Sequence, residues 1–568
     1  MVHLVKKVKK GNTYLYLAER GRVDGKSKQL WQVYLGPEKR FKESTELVLK
    51  PGFQTESIQF GLIAALLHIA QKLQLTSIID QVTKKRNQGL GVGDHVLIAA
   101  INRCLAPCSK TQIREWLDTT ILKKFYPSLD VQVDASAYWT HFRYLTDENI
   151  ELIENELARV VKDTFGIKFD DLSFDPTNFF TYINPRQENQ ELAEHGHSKE
   201  GRATLNIINM SLFCALDGGI PLLHLVYPGN VQDASHFRDG ALPRLKQRLE
   251  ELNIPAATVT LIFDKGNLSE EAFEIIDALK CKYICSDRPS SHKTLLNIKP
   301  TEFEMHELPN GKKIGVKEFH DEKYGRARRF IAIFNPNEAK WKQETLATKM
   351  EAKIAEISEY FSTRVVFSPG EKRKGQGDKW RTRTNVEAKV KELIGSRFKD
   401  MIHVTITGPD EIPLADGGRF DVVVSTEKEA IEAENLELGK SFLMTNRDDL
   451  ALHDIVWVYR QQYLTERAFK WLKSPDFVSV KPMFHWVDSS IKGHLFSCFI
   501  ALLLLTLLVR ELSTSGVKTS IYKAVKHLKA INVTRITIPG RKEPIDQLDK
   551  LSPESQQLLD ALDLGKFL

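Results

Sequence analysis

The sequence predicts an α/β protein built around a mixed sheet flanked by helices. Apolar segments of strand length follow one another between about residues 168 and 264: FDDLSFD, the pair LNIINMSLFCAL and IPLLHLVY, and TVTLIFD. A helical pattern near 238–252 precedes the last of them, which gives the order β, β-hairpin, α, β. The longest apolar run, Leu495 to Val509, is shorter than the ~20 residues of a membrane-spanning helix and predicts a buried core helix.

Length and composition exclude several classes of protein. A chain of 568 residues with 42% hydrophobic and 27% charged residues is neither a small module nor mainly disordered. Six cysteines are too few for a secreted disulfide framework and favour a reducing compartment. The Cys-x3-Cys pairs Cys104/Cys108 and Cys281/Cys285 lie in apolar runs, which favours buried thiols over zinc ligands. The chain has 80 basic and 74 acidic residues, so its net charge is small. Nucleic-acid binding would therefore depend on where the basic residues lie.

Changes of pattern along the chain divide it into segments. The first carries twelve Lys and Arg against five acids and a predicted hairpin, and the second is helical. The amphipathic stretch 109–125 could be a helix-turn-helix or plain scaffold, and both alternatives stay open. The predicted segments are a basic β arm (1–52), an α-helical domain (53–166) that binds DNA if 109–125 is a helix-turn-helix, the first part of an α/β core (167–288), a β-rich insertion (289–440), the second part of that core (441–512) and a C-terminal helical tail (513–568).

Two acids are predicted to end apolar strands in the core. Asp175 closes FDDLSFD and Asp264 closes TVTLIFD, and a turn-like segment follows each of them. If the two strands are neighbours, both carboxylates leave the same edge of the sheet, where they suit Mg²⁺ or Mn²⁺. A single aspartate at such a position is more often a turn former, so it is the pair that indicates a site.

A third acid is predicted on one helix face in VWVYRQQYLTERAFKWLKS. At about 100° per residue, the side chains of Gln462, Glu466, Lys470 and Lys473 fall within about 60° of Tyr459. The carboxylate could ligate a metal ion while the phenol, the amide and the two ammonium groups contact phosphates. The alternative is an exposed face with ordinary charge pairing.

Together with these residues, the motifs SFDPTNFF, HGHSKEGR, YPGNVQDASHF and LIFDKGNLS occur in order between about residues 170 and 500. The chain resembles the DDE transposases of bacterial insertion sequences, in particular the insertion-sequence-four superfamily and its branch sixteen thirty-four. The resemblance implies an RNase H-like catalytic core with Asp175, Asp264 and Glu466 as the metal-binding triad. Glu466 follows Asp264 by 202 positions. The resemblance implies that this interval contains an inserted domain, which in similar transposases consists mostly of β-strands and binds the transposon end.

The resemblance also assigns DNA contacts. Lys199 and Arg202 in HGHSKEGR are expected to contact phosphates, whereas Asn230 and Asp233 are expected to brace a turn. The chain departs from the family signature at Gln462, where the signature has an arginine. Either an arginine from elsewhere in the chain makes the phosphate contact, or this branch of the family accepts an amide at the position. The insertion, where related enzymes stack an aromatic ring on a flipped base, contains Trp341 and Trp380.

The function implied by the resemblance is cut-and-paste DNA transposition. Two Mg²⁺ ions, with Mn²⁺ able to substitute, would serve cleavage at terminal inverted repeats and strand transfer into target DNA. The expected partners are double-stranded DNA and a second copy of the chain in a synaptic homodimer, in the prokaryotic cytoplasm at the nucleoid and with no membrane. Two alternatives remain: an inactive, domesticated DNA-binding protein, and an RNase H-like nuclease without strand transfer.

Overall fold

The fold is described from a computed structural model of the chain. Residue placement is described for 2–9, 11–23, 26–40, 53–85, 89–126, 133–183, 190–363, 365, 380–413, 418–539, 541 and 543–568.

An antiparallel sheet of three strands forms the N-terminal arm. Its strands are β1 (Val2–Lys9), β2 (Asn12–Val23) and β3 (Lys26–Pro37), with β2 in the middle. Leu15 and Ala18 of β2 are buried, whereas several large apolar side chains of β3 are exposed. The arm therefore has a covered part and an open apolar part.

Helices dominate the next part of the chain. Strand β4 (Gln54–Gln59) is followed by α1 (Gly61–Lys72), α2 (Leu75–Thr83), α3 (Val92–Leu105), α4 (Ile113–Asp118), α5 (Leu122–Phe125), α6 (Ala135–Phe142) and α7 (Asp147–Phe165). The predicted amphipathic stretch 109–125 forms only α4 and α5, of six and four residues, with Ile113, Trp116 and Leu117 buried. The stretch is therefore packed into the domain and presents no long helix to DNA.

A mixed sheet of nine strands forms the centre of the protein. Strand β5 (Asp171–Thr181) lies between the parallel β8 (Thr260–Phe263) and the antiparallel β6 (Asn206–Ala215). Strand β9 (Lys282–Asp287) continues the parallel part beyond β8. Four later strands, β10 (Glu304–Glu307), β11 (Lys313–Lys323), β12 (Arg326–Phe334) and β15 (Lys440–Thr445), complete the sheet. The strand order is β10-β11-β12-β15-β9-β8-β5-β6-β7. The elements from β6 to β9 are β6 (Asn206–Ala215), β7 (Ile220–Pro228), α8 (Asp233–His236), α9 (Leu242–Glu251), β8 (Thr260–Phe263), α10 (Glu270–Leu279) and β9 (Lys282–Asp287).

Residues 289–440 differ from the β-rich insertion that is predicted there. The first strands of this segment extend the central sheet, and the part that follows them has more helix than strand and its own apolar core. The sequence of residues 371–400 is strongly basic and predicts an exposed loop. Residues 371–379 lie outside the described residues, and residues 383–398 form a helix. The elements are α11 (Lys293–Leu296), β10 (Glu304–Glu307), β11 (Lys313–Lys323), β12 (Arg326–Phe334), α12 (Pro336–Thr363), α13 (Arg383–Phe398), β13 (Ile402–Thr407), β14 (Asp421–Thr426), α14 (Lys428–Glu437) and β15 (Lys440–Thr445).

The last part of the chain joins the helical domain to the sheet. The elements are α15 (Leu452–Arg460), α16 (Tyr463–Leu472), α17 (Asp488–Thr514), α18 (Ile521–Lys529), β16 (Asn532–Thr537), β17 (Ile545–Leu548) and α19 (Pro553–Ala561). Every residue from 495 to 508 is buried within α17, which packs against α1, α3 and β7. This helix is long and apolar enough to cross a membrane, but most of its apolar stretch is covered by the protein, as the sequence predicts for a core helix.

The C-terminal tail is not purely helical, which corrects the prediction for 513–568. Strand β16 pairs antiparallel with β17 on one side and with β4 on the other. This pairing needs a partner from the other end of the sequence, so the local pattern of the tail does not reveal it. One apolar core then runs from the helical domain through α17 to the sheet.

Candidate active site

The two predicted aspartates lie side by side. Strands β5 and β8 run parallel with Ser173 opposite Ile262. Continuing this register by two residues places Asp175 opposite Asp264, on chain segments about 4.8 Å apart. Because side chains alternate along a strand, both carboxylates share the sheet face of Ser173 and Ile262. Both aspartates are half-buried.

Only one of the two aspartates follows the end of a strand. Asp264 comes directly after β8, as predicted, whereas Asp175 lies inside β5. The segment PTNFFT, part of which is turn-like in sequence, continues β5 because it pairs with β6 as far as Thr181. The two aspartates therefore lie level with the end of β8, and β5 continues past this point to Thr181.

Glu466 approaches the same place from a helix. Helix α16 packs on β5 and β6, and Glu466 lies in its first turn. Burial raises the pKa of Asp175 to about 7, and the charges of Asp264, Glu466 and Asp233 contribute to the rise, while Lys199 opposes them. The predicted triad therefore converges on one site, where negative charge exceeds the positive charge that acts on Asp175.

Two hydroxyl groups hold Asp264. The Tyr459 hydroxyl donates to Asp264 Oδ1 at 2.6 Å, and the Ser286 hydroxyl donates to the same oxygen at 3.3 Å. Burial, and then the charge of Asp264, raise the pKa of Tyr459 and keep its proton in place for this bond. The phenol expected to contact DNA phosphate thus bonds to a carboxylate in this structure.

A fourth acid lies beside the triad. Asp233, at the start of α8, accepts a hydrogen bond from the Tyr227 hydroxyl at 2.9 Å and pairs with Lys199 Nζ at 3.1 Å. Lys199 Nζ also donates to the carbonyl oxygen of Pro176 at 2.7 Å, next to Asp175. Lys199, predicted to contact phosphate, is therefore anchored at the carboxylates.

Two lysines flank the site and share one carboxylate. Glu200 pairs with Lys473 at 3.3 Å and with Lys481 at 3.1 Å. Burial lowers the pKa of Lys473, and neighbouring lysines add to this effect, although Glu200 opposes it. Lys473 lies over the Phe179 ring, and Lys481 over the Phe180 ring, on the strand that carries the first acid.

The helix expected to carry Glu466 is broken. The sequence predicts one helix through VWVYRQQYLTERAFKWLKS, but residues 461 and 462 form a turn, because α15 packs on β9 and β11 whereas α16 packs on β5 and β6. Gln462 is consequently buried, and its side-chain amide has no hydrogen-bond partner among the described residues. The expectation of one continuous polar helix face is therefore wrong. Lys470 is exposed on α16, and Arg202 is exposed over Phe180.

Carboxylates with excess negative charge in a partly buried site are the donor set that Mg²⁺ and Mn²⁺ take. Within the described residues, no three His, Cys, Asp or Glu side chains are already arranged to hold a metal ion. Asp264 Oδ1 faces two hydroxyls instead, so its other oxygen is the one left for a ligand. The residues fit divalent ions by their chemistry, and binding would require the carboxyl groups to turn toward one another.

Sequence reasoning missed four residues of this site. Ser286 and Lys481 lie outside the quoted motifs, and Glu200 lies in HGHSKEGR, where the resemblance points to Lys199 and Arg202 instead. Asp233 is expected from sequence only to brace a turn, and its bond to Tyr227 is compatible with that role. A polar residue near the end of β9, the strand beside β8, is a signal that could have indicated Ser286.

The two tryptophans of the insertion differ in exposure. Trp341 on α12 is 62% exposed, whereas Trp380 is buried in the insertion's own core. Of these two, Trp341 is the one whose ring is exposed enough to stack on a base.

Comparison with known proteins points to one family. A solved piggyBac transposase synaptic complex with hairpin DNA is 9% identical, with 84% of this chain and 82% of that chain covered and a TM-score of 0.35. A TM-score this low does not establish a shared fold. Comparison with curated protein sequences gave no match. The family model described as "Transposase DDE domain" matches residues 175–479, more than half of the chain. The chain therefore belongs to the family of transposases that carry a DDE domain.

Proposed function

We propose that this transposase moves DNA by cut and paste, with Asp175, Asp264 and Glu466 as its metal-binding triad. The observation that carries the proposal is the register of β5 and β8, which sets the two aspartates opposite each other where β8 ends. The effect of Glu466 on the pKa of Asp175 supports the third member. The triad would act on a DNA phosphodiester at the transposon end.

The order of the strands supports an RNase H-like catalytic core. Strands β5, β6 and β7 form an antiparallel meander, α9 follows, and β8 returns beside β5 in parallel. The first acid then lies on the central strand, the second after its parallel neighbour and the third on a helix packed against β5 and β6. The elements β10 to α14 would be the insertion of such a core, although partly helical.

DDE transposases use divalent metal ions, and Asp175, Asp264 and Glu466 are the residues that would hold two Mg²⁺ ions here, or Mn²⁺ in their place. When bound, the ions would supply Lewis-acid activation of the attacking oxygen and neutralise charge on the phosphate. The Tyr459 and Ser286 hydroxyls hold one oxygen of Asp264 and so fix the orientation of its carboxylate.

Positive side chains of the chain would position the DNA. Lys473 and Lys481 pair with Glu200 and can exchange it for a DNA phosphate, which is also an anion. The exposed Arg202 and Lys470 would add phosphate contacts at the edges of the site. Three of the expected phosphate contacts take other roles in this proposal: Lys199 limits repulsion among the acids, Tyr459 orients Asp264, and Gln462 is buried.

The proposed partners are the terminal inverted repeats, target DNA and a second copy of the chain. Two ends must be cut and joined together, so a homodimer on DNA is the assembly that the reaction requires. The basic arm, the helical domain and the insertion, including Trp341, would hold the ends. The proposed setting is the prokaryotic cytoplasm, at the nucleoid.

An end-cleavage and joining assay tests the proposal. The full chain is incubated with a labelled fragment of the inverted repeat that flanks its gene, a target plasmid and Mg²⁺. We expect cut and joined products, and we expect Asp175→Asn, Asp264→Asn and Glu466→Gln each to abolish them while DNA binding persists. The matched control is Asp170→Asn, which changes an exposed aspartate just before β5.

Each of the other outcomes would indicate a different functional class for this protein or a different site. Cleavage without joined products would indicate an RNase H-like nuclease. Binding without cleavage by the unmodified chain would indicate an inactive DNA-binding protein. Mg²⁺-dependent cleavage that survives Asp175→Asn would refute the proposed site.

A further inference from the structure

A second site opens between the helical domain and the segment that joins α16 to α17. It is a cavity with a volume of about 290 Å³, and Lys110, Trp139, Phe484, His485 and His494 are among its lining residues. We call it the Lys110 pocket. The volume is at the low end for small-ligand sites and admits a group the size of a phosphate or a single nucleotide.

A buried ammonium group without a hydrogen-bond partner lines this pocket. Lys110 is 6% exposed, and its Nζ makes no hydrogen bond within the described part of the chain. It lies over the rings of Tyr138 and Phe142, at 5.3 and 5.6 Å from their centroids. Ring faces compensate only part of the desolvation of a buried charge, so an anion in the pocket would stabilise the charged form.

Two histidines of the pocket, His485 and His494, are buried as well. His494 is 1% exposed, and its Nδ1 has no partner among the described residues, although Nε2 bonds to the Val480 carbonyl oxygen. Burial lowers the pKa of His485 to about 3, and it lowers that of His494 well below the ordinary value, with Lys110 adding to both shifts. Both histidines are therefore neutral, and Lys110 is the lining side chain that can present positive charge to an anion.

The charged groups that act on Lys110 from the surrounding described elements include no carboxylate. Burial, and then the guanidinium of Arg103, lower the pKa of Lys110 to about 7, opposed by the thiols of Cys498 and Cys108. Two histidines, described above, border the same cavity. An anion in the pocket would therefore be attracted by Lys110 and would keep it protonated.

The rim of the pocket is aromatic and open to solvent. Trp139 is 50% exposed and Phe484 is 67% exposed. Flat apolar faces beside a cation match the two parts of a nucleotide, since bases stack on aromatic rings and phosphate pairs with lysine. Inorganic phosphate would pair with Lys110 but would make no contact with the two aromatic rings.

A short segment connects the pocket to the candidate active site. Lys481 pairs with Glu200 and lies over Phe180 of β5. The next residues of the chain include Pro482 and Phe484, which line the pocket wall. A DNA strand that lies on Lys481 can therefore continue along this segment into the pocket.

We propose that the Lys110 pocket holds one unpaired nucleotide of the bound DNA strand, with its phosphate on Lys110 and its base against Trp139 and Phe484. This inference rests on the proposed function, since it takes DNA as the substrate. It adds a binding site outside the triad, and its residues take no part in phosphodiester chemistry.

Calorimetric titration of the full-length protein tests the site, with metal ions removed by chelation so that the triad plays no part. The probes are a short oligothymidylate, an abasic oligonucleotide of equal length, thymidine monophosphate and inorganic phosphate. We expect Lys110→Met to weaken oligothymidylate binding about tenfold, the loss of one charge-assisted hydrogen bond. The control Lys162→Met, at an exposed position of α7, should change it less than about twofold.

Two further readouts separate a binding role from a structural one. Trp139→Ala should weaken oligothymidylate binding about tenfold and leave abasic binding unchanged, because one stacked base is lost. At pH 8 the free Lys110 is mostly neutral, so binding should take up close to one proton, visible as a dependence of the measured heat on the buffer. Lys110→Met should remove this uptake.

The possible results lead to different conclusions. Equal affinity of Lys110→Met and Lys162→Met, or no proton uptake by the unmodified protein, would overturn the site. Inorganic phosphate binding as tightly as oligothymidylate would overturn DNA as the occupant. If Lys110→Met does not fold, the Trp139→Ala comparison decides alone. Lys110-dependent binding in a protein that cuts no DNA would refute the proposed catalysis and leave the site standing.

Discussion

Replacing Asp175 by asparagine should stabilise the metal-free protein. The carboxyl is half-buried, and Asp264, Glu466 and Asp233 repel its charge. A pKa of about 7 instead of the ordinary 3.8 corresponds to a cost of at most about 4 kcal/mol for the ionised form. Solvent screening of a partly open site reduces this cost, so we expect Asp175→Asn to raise the free energy of unfolding by about 2 kcal/mol at pH 8.

The pH dependence has a definite sign. Below about pH 4 the carboxyl is protonated in both the folded and the unfolded chain, and the two proteins should differ little. Between about pH 4 and pH 7 the unfolded chain releases the proton while folded Asp175 keeps it, so the unmodified protein loses stability as pH rises. Above this window the difference from Asp175→Asn should be constant.

Thermal unfolding with and without Mg²⁺ measures both effects. In chelator at pH 8, Asp175→Asn should unfold about 2 °C above the unmodified protein, because a chain of 568 residues has a large entropy of unfolding. Mg²⁺ at about 100 times its Kd should stabilise the unmodified protein by about 2.7 kcal/mol and the variant far less. Asp170→Asn is the control and should follow the unmodified protein. An Asp175→Asn variant that is less stable than the unmodified protein in chelator would refute the argument that the acids repel one another.

Three other substitutions have defined outcomes. Tyr459→Phe removes a hydrogen bond to Asp264 and should slow Mg²⁺-dependent cleavage roughly tenfold in single-turnover assays, with DNA affinity unchanged. Glu200→Gln releases the two lysines that pair with it and should raise affinity for DNA about threefold, with a steeper dependence on salt in a binding titration. Glu154→Gln breaks a buried pairing with a histidine and an arginine and should cost about 3–5 kcal/mol in denaturant unfolding.

Each of these has a matched control on the surface. Tyr463→Phe changes an exposed tyrosine of α16, Glu274→Gln an exposed acid of α10 and Glu156→Gln an exposed acid of α7. Equal cleavage rates for the two tyrosine variants would show that the phenol does not orient the carboxylate. Unchanged salt dependence after Glu200→Gln would remove the paired lysines from the DNA path. An unfolding loss after Glu154→Gln no larger than that of Glu156→Gln would contradict the account of the buried pair.

Much of the centre of the fold was predictable because its signals are local. Apolar runs mark the strands that lead to Asp175 and Asp264, and the largely apolar run 495–509 marks a buried helix. The spacing of 89 residues between the aspartates equals the offset of the parallel register between β5 and β8. Whether these two strands are neighbours does not follow from local signals, and in the structure β5 pairs directly with β8.

The charged positions, and the stretches apolar enough to form strands and a core helix, can be identified from neighbouring residues alone. Three features cannot be identified in this way: the turn of the chain at Gln462, the pairing of β16 with β4, and the burial of Lys110 beside the segment following Lys481. Each of these depends on contacts between residues far apart in the chain, where packing and burial outweigh local periodicity.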